Sequence, residues 1–254
     1  MIVNLRLLTK TNSSRRPKKL QGIFITGTDT EIGKTTIACG LAWLLRKNGI
    51  KVGVMKPFAT SSSVYSNRYR SSDTALLAKA ADIKESDEIL NPIFFPLPAS
   101  PLMAAELLNK TVDMKVISKK LTVLKKKYDF TLVEGIGGVM VPITKKILLL
   151  DVMKGMKLPT IIVSSTRLGS INHTILTINA CKLKKIPVLG IIYNQIPENP
   201  NIVESMTPSY VEKLTNTTTI SIIPFMYDCN FKNVGMYLGR TSTIKKIISR
   251  LTLS

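Results

Sequence analysis

The segment Gly27–Thr35, GTDTEIGKT, sets Gly33, Lys34 and Thr35 directly ahead of an amphipathic run and just after the apolar GIFIT of Gly22–Thr26. Glycine, lysine and a hydroxyl at a helix start have the chemistry of phosphate binding. Backbone N–H groups and the helix N-terminus hold the oxygens, Lys34 reaches the terminal phosphates, and the Thr35 hydroxyl is a ligand for Mg2+. The strict pattern would begin at Thr28; its first glycine stands one residue further out, at Gly27. The stretch also carries Asp29 and Glu31. At about 5 Å and an effective dielectric near 20, each acid would repel a unit phosphate charge by roughly 3 kcal/mol. Either they turn away from the nucleotide or something positive shares the site.

Three further residues bear on the same chemistry. Glu134 ends the run FTLVE, immediately before Gly135-Ile136-Gly137-Gly138. Mg2+ takes octahedral oxygen coordination from one or two carboxylates, phosphates and water, and Glu134 stands where such an acid is useful. Asp73, in SSDTALL, is either a second acid for the cation or a plain helix cap. Lys56 precedes Pro57 and is either a solvated strand end or a second ammonium at the edge of the sheet that holds Lys34. Two lysines, two acids and a glycine-rich turn together point to phosphoryl transfer.

Strands are expected at Gly22–Thr26, Val52–Lys56, Phe130–Glu134, Pro159–Ser164, Val188–Asn194 and Thr219–Ile223. Helices are expected at Thr35–Leu45, Ser72–Ala81, Pro101–Leu108, Val112–Lys127, Ser170–Lys184 and Ser242–Leu251. Strands apolar on both faces and separated by helices predict an α/β fold: three layers, a mostly parallel sheet with helices on both faces, like the phosphate-loop NTPases. Ligands then collect at the carboxyl ends of the strands. Residues 22–254 are read as one nucleotide-binding domain. Ser61–Ser72 is a Ser/Arg/Tyr-bearing loop that either closes over a ligand or is simply mobile.

The 254 residues carry 36 Lys/Arg against 16 Asp/Glu, a net charge of +20, with a mean hydropathy of +0.17. Dispersed lysines without interleaved aromatics argue against a nucleic-acid surface, leaving salt-sensitive, non-specific attraction. Apolar runs such as Ile147–Leu150 and Thr160–Val163 are far too short to span a bilayer. Cys39, Cys181 and Cys229 lie far apart, which suggests neither a zinc site nor a disulfide framework, and a reducing compartment is expected. His173, the one histidine, is read as a packing or capping residue. Met1–Gln21 holds six Lys/Arg and no acid, and the chain's +20 less these six leaves +14. Such a segment is a basic tail ahead of the first strand or a transit peptide; we read a flexible tail, and a cytoplasmic protein.

In order and spacing, GTDTEIGKT, MKPFAT, SSDTALL, LPASPLMAAE, LVEGIGGVMVPI, LGSINHTILT and YNQI resemble the dethiobiotin synthetase family over roughly Gly22–Phe225. The resemblance implies a ligase of biotin synthesis that joins CO2, supplied as bicarbonate, to 7,8-diaminononanoate with Mg2+ and ATP. A carbamate forms, is phosphorylated, and closes to a cyclic urea. It implies catalytic roles for Lys34 and Lys56, and Mg2+ at Thr35, Asp73 and Glu134. Nucleotide contacts fall on Thr28, Asp29, Thr30, Glu31, Ile32, Gly33, Lys34, Thr35 and Thr36, then on Glu134, Gly135, Gly137, Gly138, Asn194 and Pro224, the last two near adenine. Substrate contacts fall on Thr60, Ser100, Pro101 and the helix start Gly169-Ser170-Ile171-Asn172, which holds the substrate carboxylate across a homodimer interface. No specific nucleic acid or membrane partner is implied. Glu31 then orients the loop or faces the diamine, while Asp29 bonds backbone N–H groups.

The family's frequent Lys-Pro-x-x-Ser-Gly is here Lys56-Pro57-Phe58-Ala59-Thr60-Ser61, and its Ser-Pro-His is Ser100-Pro101-Leu102. These departures bear on substrate fit rather than phosphate chemistry. A partitioning ATPase of the same broad fold would carry a lysine early in the loop, where this chain has Thr28. A corrin-ring amidotransferase would need an added glutaminase domain. A binding protein without turnover would keep the loop and lose the substrate contacts.

Overall fold

Strands that are apolar on both faces are stable only with cover on both sides, and the tertiary structure supplies it. The computed structural model describes residues 20–252; most of the basic tail, residues 1–19, lies outside the described residues. The elements are β1 (Gly22–Gly27), α1 (Lys34–Lys47), β2 (Val52–Met55), β3 (Phe58–Thr60), α2 (Ser72–Ala81), α3 (Asp87–Leu90), β4 (Ile93–Phe95), α4 (Pro101–Leu107) and α5 (Met114–Lys127). There follow β5 (Phe130–Gly138), β6 (Pro142–Thr144), β7 (Ile147–Leu148), α6 (Leu149–Met156), β8 (Thr160–Ser164), α7 (Ser170–Leu183), β9 (Val188–Ile196), α8 (Ile202–Thr215), β10 (Thr219–Pro224), α9 (Phe231–Leu238) and α10 (Ser242–Thr252).

The central sheet has six strands in the order β10-β9-β8-β1-β5-β2, and every pairing is parallel. Alternate residues point to opposite faces, and β8 makes the two-sided cover visible. Ile161 and Val163 join the main core, whereas Ile162 joins a second cluster with Ile178 of α7, Ile191 and Tyr193 of β9 and Val211 of α8. Each such buried side chain contributes about 1.5–3 kcal/mol relative to exposure. On one face α1 packs between α2 and α9; α7 and α8 pack together on the other. None of the helices among the described residues is long and apolar enough to cross a membrane.

Strand order reverses at β1: the chain runs out to β2, returns to place β5 beside β1, and then crosses to β1's other side with β8. The loops after β1, β5, β8 and β9 leave the same carboxyl edge, where open α/β sheets hold their ligands.

Several boundaries differ from those expected. β5 runs on through Gly138 because the β1–β5 register shifts between Ile25 and Gly27, pairing Gly27 with Gly138. Lys56 lies one residue beyond β2, and α5 starts at Met114 because Asp113 caps it, accepting from Lys115 N at 2.8 Å. The apolar run at 147–150 divides into β7 and the start of α6. Helix α8 was masked in sequence by Pro208, yet Asn201 and Glu204 form a reciprocal cap at its start, with bonds of 3.0 and 2.9 Å. The Ser61–Ser72 segment turns back on itself through Tyr65 N to Arg70 O and Ser66 N to Tyr69 O, both 3.0 Å. Ser72 already belongs to α2.

Candidate active site at the phosphate loop

The loop between β1 and α1 is shaped by its glycine. Gly33, the N-cap of α1, has φ +87°, a left-handed conformation that glycine adopts without strain. A Cβ there would lie 1.9 Å from Asn194 Nδ2. Asn194, buried within β9, which runs on to Ile196 rather than ending at Asn194, donates to Ile32 O at 3.3 Å, so the observed contacts of this residue brace the loop. The glycine-rich end of β5 also abuts it: Gly138 faces the carbonyls of Gly27 and Thr28, and Gly137, at φ +55°, lies near Thr30.

Both loop acids have a described place. Asp29 Oδ1 accepts from Thr30 N at 2.7 Å, and Oδ2 lies 3.4 Å from an Arg167 guanidinium nitrogen. Arg167 comes from the segment between β8 and α7 and is the positive group beside the loop that sequence reasoning did not single out. Glu31 is exposed, with φ +51°, an uncommon conformation for a residue with a Cβ.

Lys34, in the first turn of α1, is buried and donates to Asp29 O at 2.6 Å. Burial, reinforced by the nearby Lys56 ammonium, brings its pKa down to about 8. Thr35 Oγ1 donates to Glu134 Oε1 at 2.7 Å. Lys56 Nζ lies 2.6 Å from the same Glu134 oxygen and 2.7 Å from Asp73 Oδ2. Burial opposes the Lys56 charge, but Glu134 and Asp73 outweigh it and hold this ammonium above its ordinary range. Burial likewise pushes the Asp73 carboxyl up, and Lys56 more than reverses this, leaving it below its usual value. For Glu134, fully buried beside a second carboxylate, burial prevails over Lys56 and the pKa is raised.

Lys34, Thr35, Lys56, Asp73 and Glu134 therefore meet in one cluster built from α1, α2, β5 and the residue after β2. Asp73 is not the N-cap of α2; Ser71 holds that position, leaving Asp73 in the first turn to bind Lys56. The oxygens of Thr35, Asp73 and Glu134 suit a hard divalent cation that takes its remaining ligands from phosphate and water. Glu134 Oε2 is buried without a hydrogen-bond partner among the described residues, an oxygen that such a cation would satisfy. The residues fit Mg2+.

The remaining expected site residues lie on other elements. Thr60 ends β3, and Ser100 caps α4, accepting from Met103 N at 3.4 Å with Pro101 in the first helical position. α4 packs on β3, β4 and β6 rather than on the ion-pair cluster. Gly169 caps α7 at φ +92°; Ser170 is buried and its hydroxyl donates to Arg167 O at 2.6 Å, while Asn172 is exposed. Ile171 packs partly against the second core cluster, and Pro224 is exposed at the end of β10. Thr36 is half-buried in the first turn of α1. His173 is exposed on α7 and so is not a core packing residue.

A sheet whose strand order reverses at the strand that delivers a phosphate loop defines a phosphate-loop nucleotide-binding protein of the α/β class. A family model described as an AAA domain matches residues 21–233. The chain is 37% identical over 229 residues to the ATP-dependent dethiobiotin synthetase BioD of Nitrosopumilus maritimus (strain SCM1), covering 90% of this chain and 100% of that relative. It is 38% identical over 205 residues to the enzyme of the same name from Bacillus subtilis (strain 168), covering 81% and 87%. The chain belongs to the ATP-dependent dethiobiotin synthetase family. Among solved structures, a putative plasmid partition protein from Borrelia burgdorferi B31 bound to AMPPNP shares the fold at TM-score 0.54, with 18% identity over 92% of this chain and 99% of that one.

Proposed function

We propose that this protein joins CO2 to 7,8-diaminononanoate with ATP, forming dethiobiotin, ADP and phosphate. The observation that carries the reading is the Lys56 ammonium held between Glu134 and Asp73 beside the phosphate loop. One substrate amine attacks CO2 and loses a proton, giving a carbamate. A carbamate oxygen attacks the terminal phosphorus of ATP as the bond to ADP breaks. The second amine attacks the carbonyl carbon, the carbon–oxygen bond to phosphate breaks, and the amine proton passes to phosphate or water.

Every step gathers or moves negative charge on oxygen. Lys34 and Lys56 supply positive charge already in place and poor in water, so little reorganisation accompanies the reaction. The loop N–H groups and the start of α1 hold the phosphates. Thr35, Asp73 and Glu134 would hold Mg2+, which supplies neutralising charge to the nucleotide's terminal phosphates. Asp29, tied to Thr30 and Arg167, adds no unpaired charge to the loop, whereas exposed Glu31 stands available to an amine substrate.

The reading includes a cytoplasmic homodimer in which the N-terminus of α7 in one copy receives the substrate carboxylate of the other. Support comes from exposed Leu176 and Leu183 on α7 and the stripe Ile202, Met206, Tyr210 and Leu214 on α8. Apolar side chains so arranged favour a protein contact.

Purified protein incubated with labelled bicarbonate, Mg·ATP and the diamine should trap acid-stable label in a product that requires both ATP and the diamine. Binding of ATP without trapped label would overturn the ligase reading and leave a nucleotide-binding protein.

A further inference from the structure

Lys56 follows β2, an edge strand whose one neighbour in the sheet is β5, and precedes Pro57, which has no N–H to donate. The sheet alone therefore does not fix it. Its backbone is clamped by the connection between α3 and β4. Lys56 N donates to Leu90 O at 2.7 Å, and Lys56 O accepts from Asn91 Nδ2 at 2.7 Å. Asn91 is fully buried; its amide also donates to Ile93 O at 3.2 Å, at the start of the small β3–β4 sheet.

Asn91 is itself held. Its N–H donates to Asp87 O at 2.6 Å, and its carbonyl accepts from an Arg70 guanidinium nitrogen at 2.6 Å. Arg70 also closes on Asp87, Nε to Oδ2 at 2.5 Å and backbone N to Oδ1 at 3.3 Å. Arg70 stands just ahead of α2, whose first turn provides Asp73 to the Lys56 ammonium. The contacts close a ring: Lys56 side chain to Asp73, along the chain to Arg70, across to Asn91, and back to the Lys56 carbonyl.

We propose that Asn91 is a positioning residue for Lys56, kept in place by the Arg70–Asp87 pair. As it concerns turnover, this rests on the reaction proposed above. Asn91 acts through the Lys56 backbone, fixing the origin of a long side chain whose ammonium must stay between two carboxylates while charge moves past it. Asp73 and Asn91 share the Arg70 brace, so a shift of one end of Lys56 is resisted at the other. A buried asparagine that merely satisfied the α3–β4 connection would leave Lys56 indifferent to its loss.

The test compares Asn91→Ala and Arg70→Gln with the unsubstituted protein. Arg70 lies at a half-exposed position, so its replacement leaves the core intact and decides the matter if Asn91→Ala does not fold. For Asn91→Ala we expect kcat to fall about 10- to 100-fold, the loss typical of a displacement near 1 Å, with KM for ATP within about twofold. Arg70→Gln should lower kcat in the same way but less. Peptide deuterium exchange over residues 54–60 should accelerate about tenfold in both variants, with residues 34–45 unchanged. Unchanged kcat with unchanged exchange would overturn the proposal, as would equal acceleration in both segments, which marks general loosening. If the unsubstituted protein makes no dethiobiotin, the reaction reading fails, and exchange confined to 54–60 still decides for or against Asn91.

Discussion

Lys56 Nζ lies 2.6 Å from Glu134 Oε1, although the two residues are 78 positions apart in the chain. The parallel pairing of β2 with β5, Met55 against Val133, carries them together. Thr35 shares the same carboxylate oxygen, so the phosphate-loop helix is tied to the second lysine through one glutamate.

Replacing Lys56 should therefore harm both stability and turnover. Lys56→Met removes the buried charge partner of Glu134, and breaking such a pair costs about 3–5 kcal/mol. Adding Glu134→Gln should recover much of the stability without restoring product formation. Urea denaturation and the labelled-bicarbonate assay measure the two effects separately.

Gly33→Ala should weaken ATP binding more than about tenfold, because the added Cβ both enters a strained φ and strikes Asn194. Combining it with Asn194→Ala removes the collision but also the brace on Ile32 O, so thermal unfolding should show partial recovery of stability while titration with a fluorescent ATP analogue shows none of affinity.

Thr35→Val keeps the shape of the side chain and removes the hydroxyl bonded to Glu134. Turnover should then require more Mg2+, and chelation should abolish it in the unsubstituted protein. A Mg2+ titration at fixed ATP checks both outcomes.

Where α9 crosses α1, backbone approaches backbone. A Cβ on Gly235 would lie 2.5 Å from the Trp43 ring and 2.7 Å from Gly40 O. Gly235→Ala should destabilise the fold by about 1–3 kcal/mol despite the better helix propensity of alanine, as overpacking does. Thermal unfolding measures the loss.

Glu85 gives a pH dependence whose sign is fixed. A charged hydrogen bond from Lys127 and one from the Tyr128 hydroxyl hold its carboxyl below the ordinary value. Its stabilisation, at most about 1 kcal/mol for a pair with an exposed lysine, is present above the unfolded pKa and lost as pH falls through the lower folded value. The stability difference between the unsubstituted protein and Glu85→Gln should be constant near neutrality and shrink in acid.

The candidate site was legible where the chemistry is local. Gly33, Lys34 and Thr35 carry a contiguous signal, and Glu134 closes the apolar run that announces its strand. Alternating apolar runs and amphipathic segments likewise specify a covered parallel sheet, because each strand needs partners on both faces. Short or atypical elements were hidden: α9 has two turns and a glycine that packing requires, and α8 contains a proline that its cap overrides.

Long-range pairing decided the rest. Asp73 could serve equally as a helix cap until Lys56 was brought beside it, and Lys56 could be a solvated strand end until β5 buried it against Glu134. Asn91 was not singled out by local spacing; its bond to the Lys56 carbonyl crosses 35 positions. Arg167 balances Asp29 across 138 positions. Residue type and local spacing determine which groups can react, whereas their protonation and mutual orientation depend on contacts made only when distant strands align.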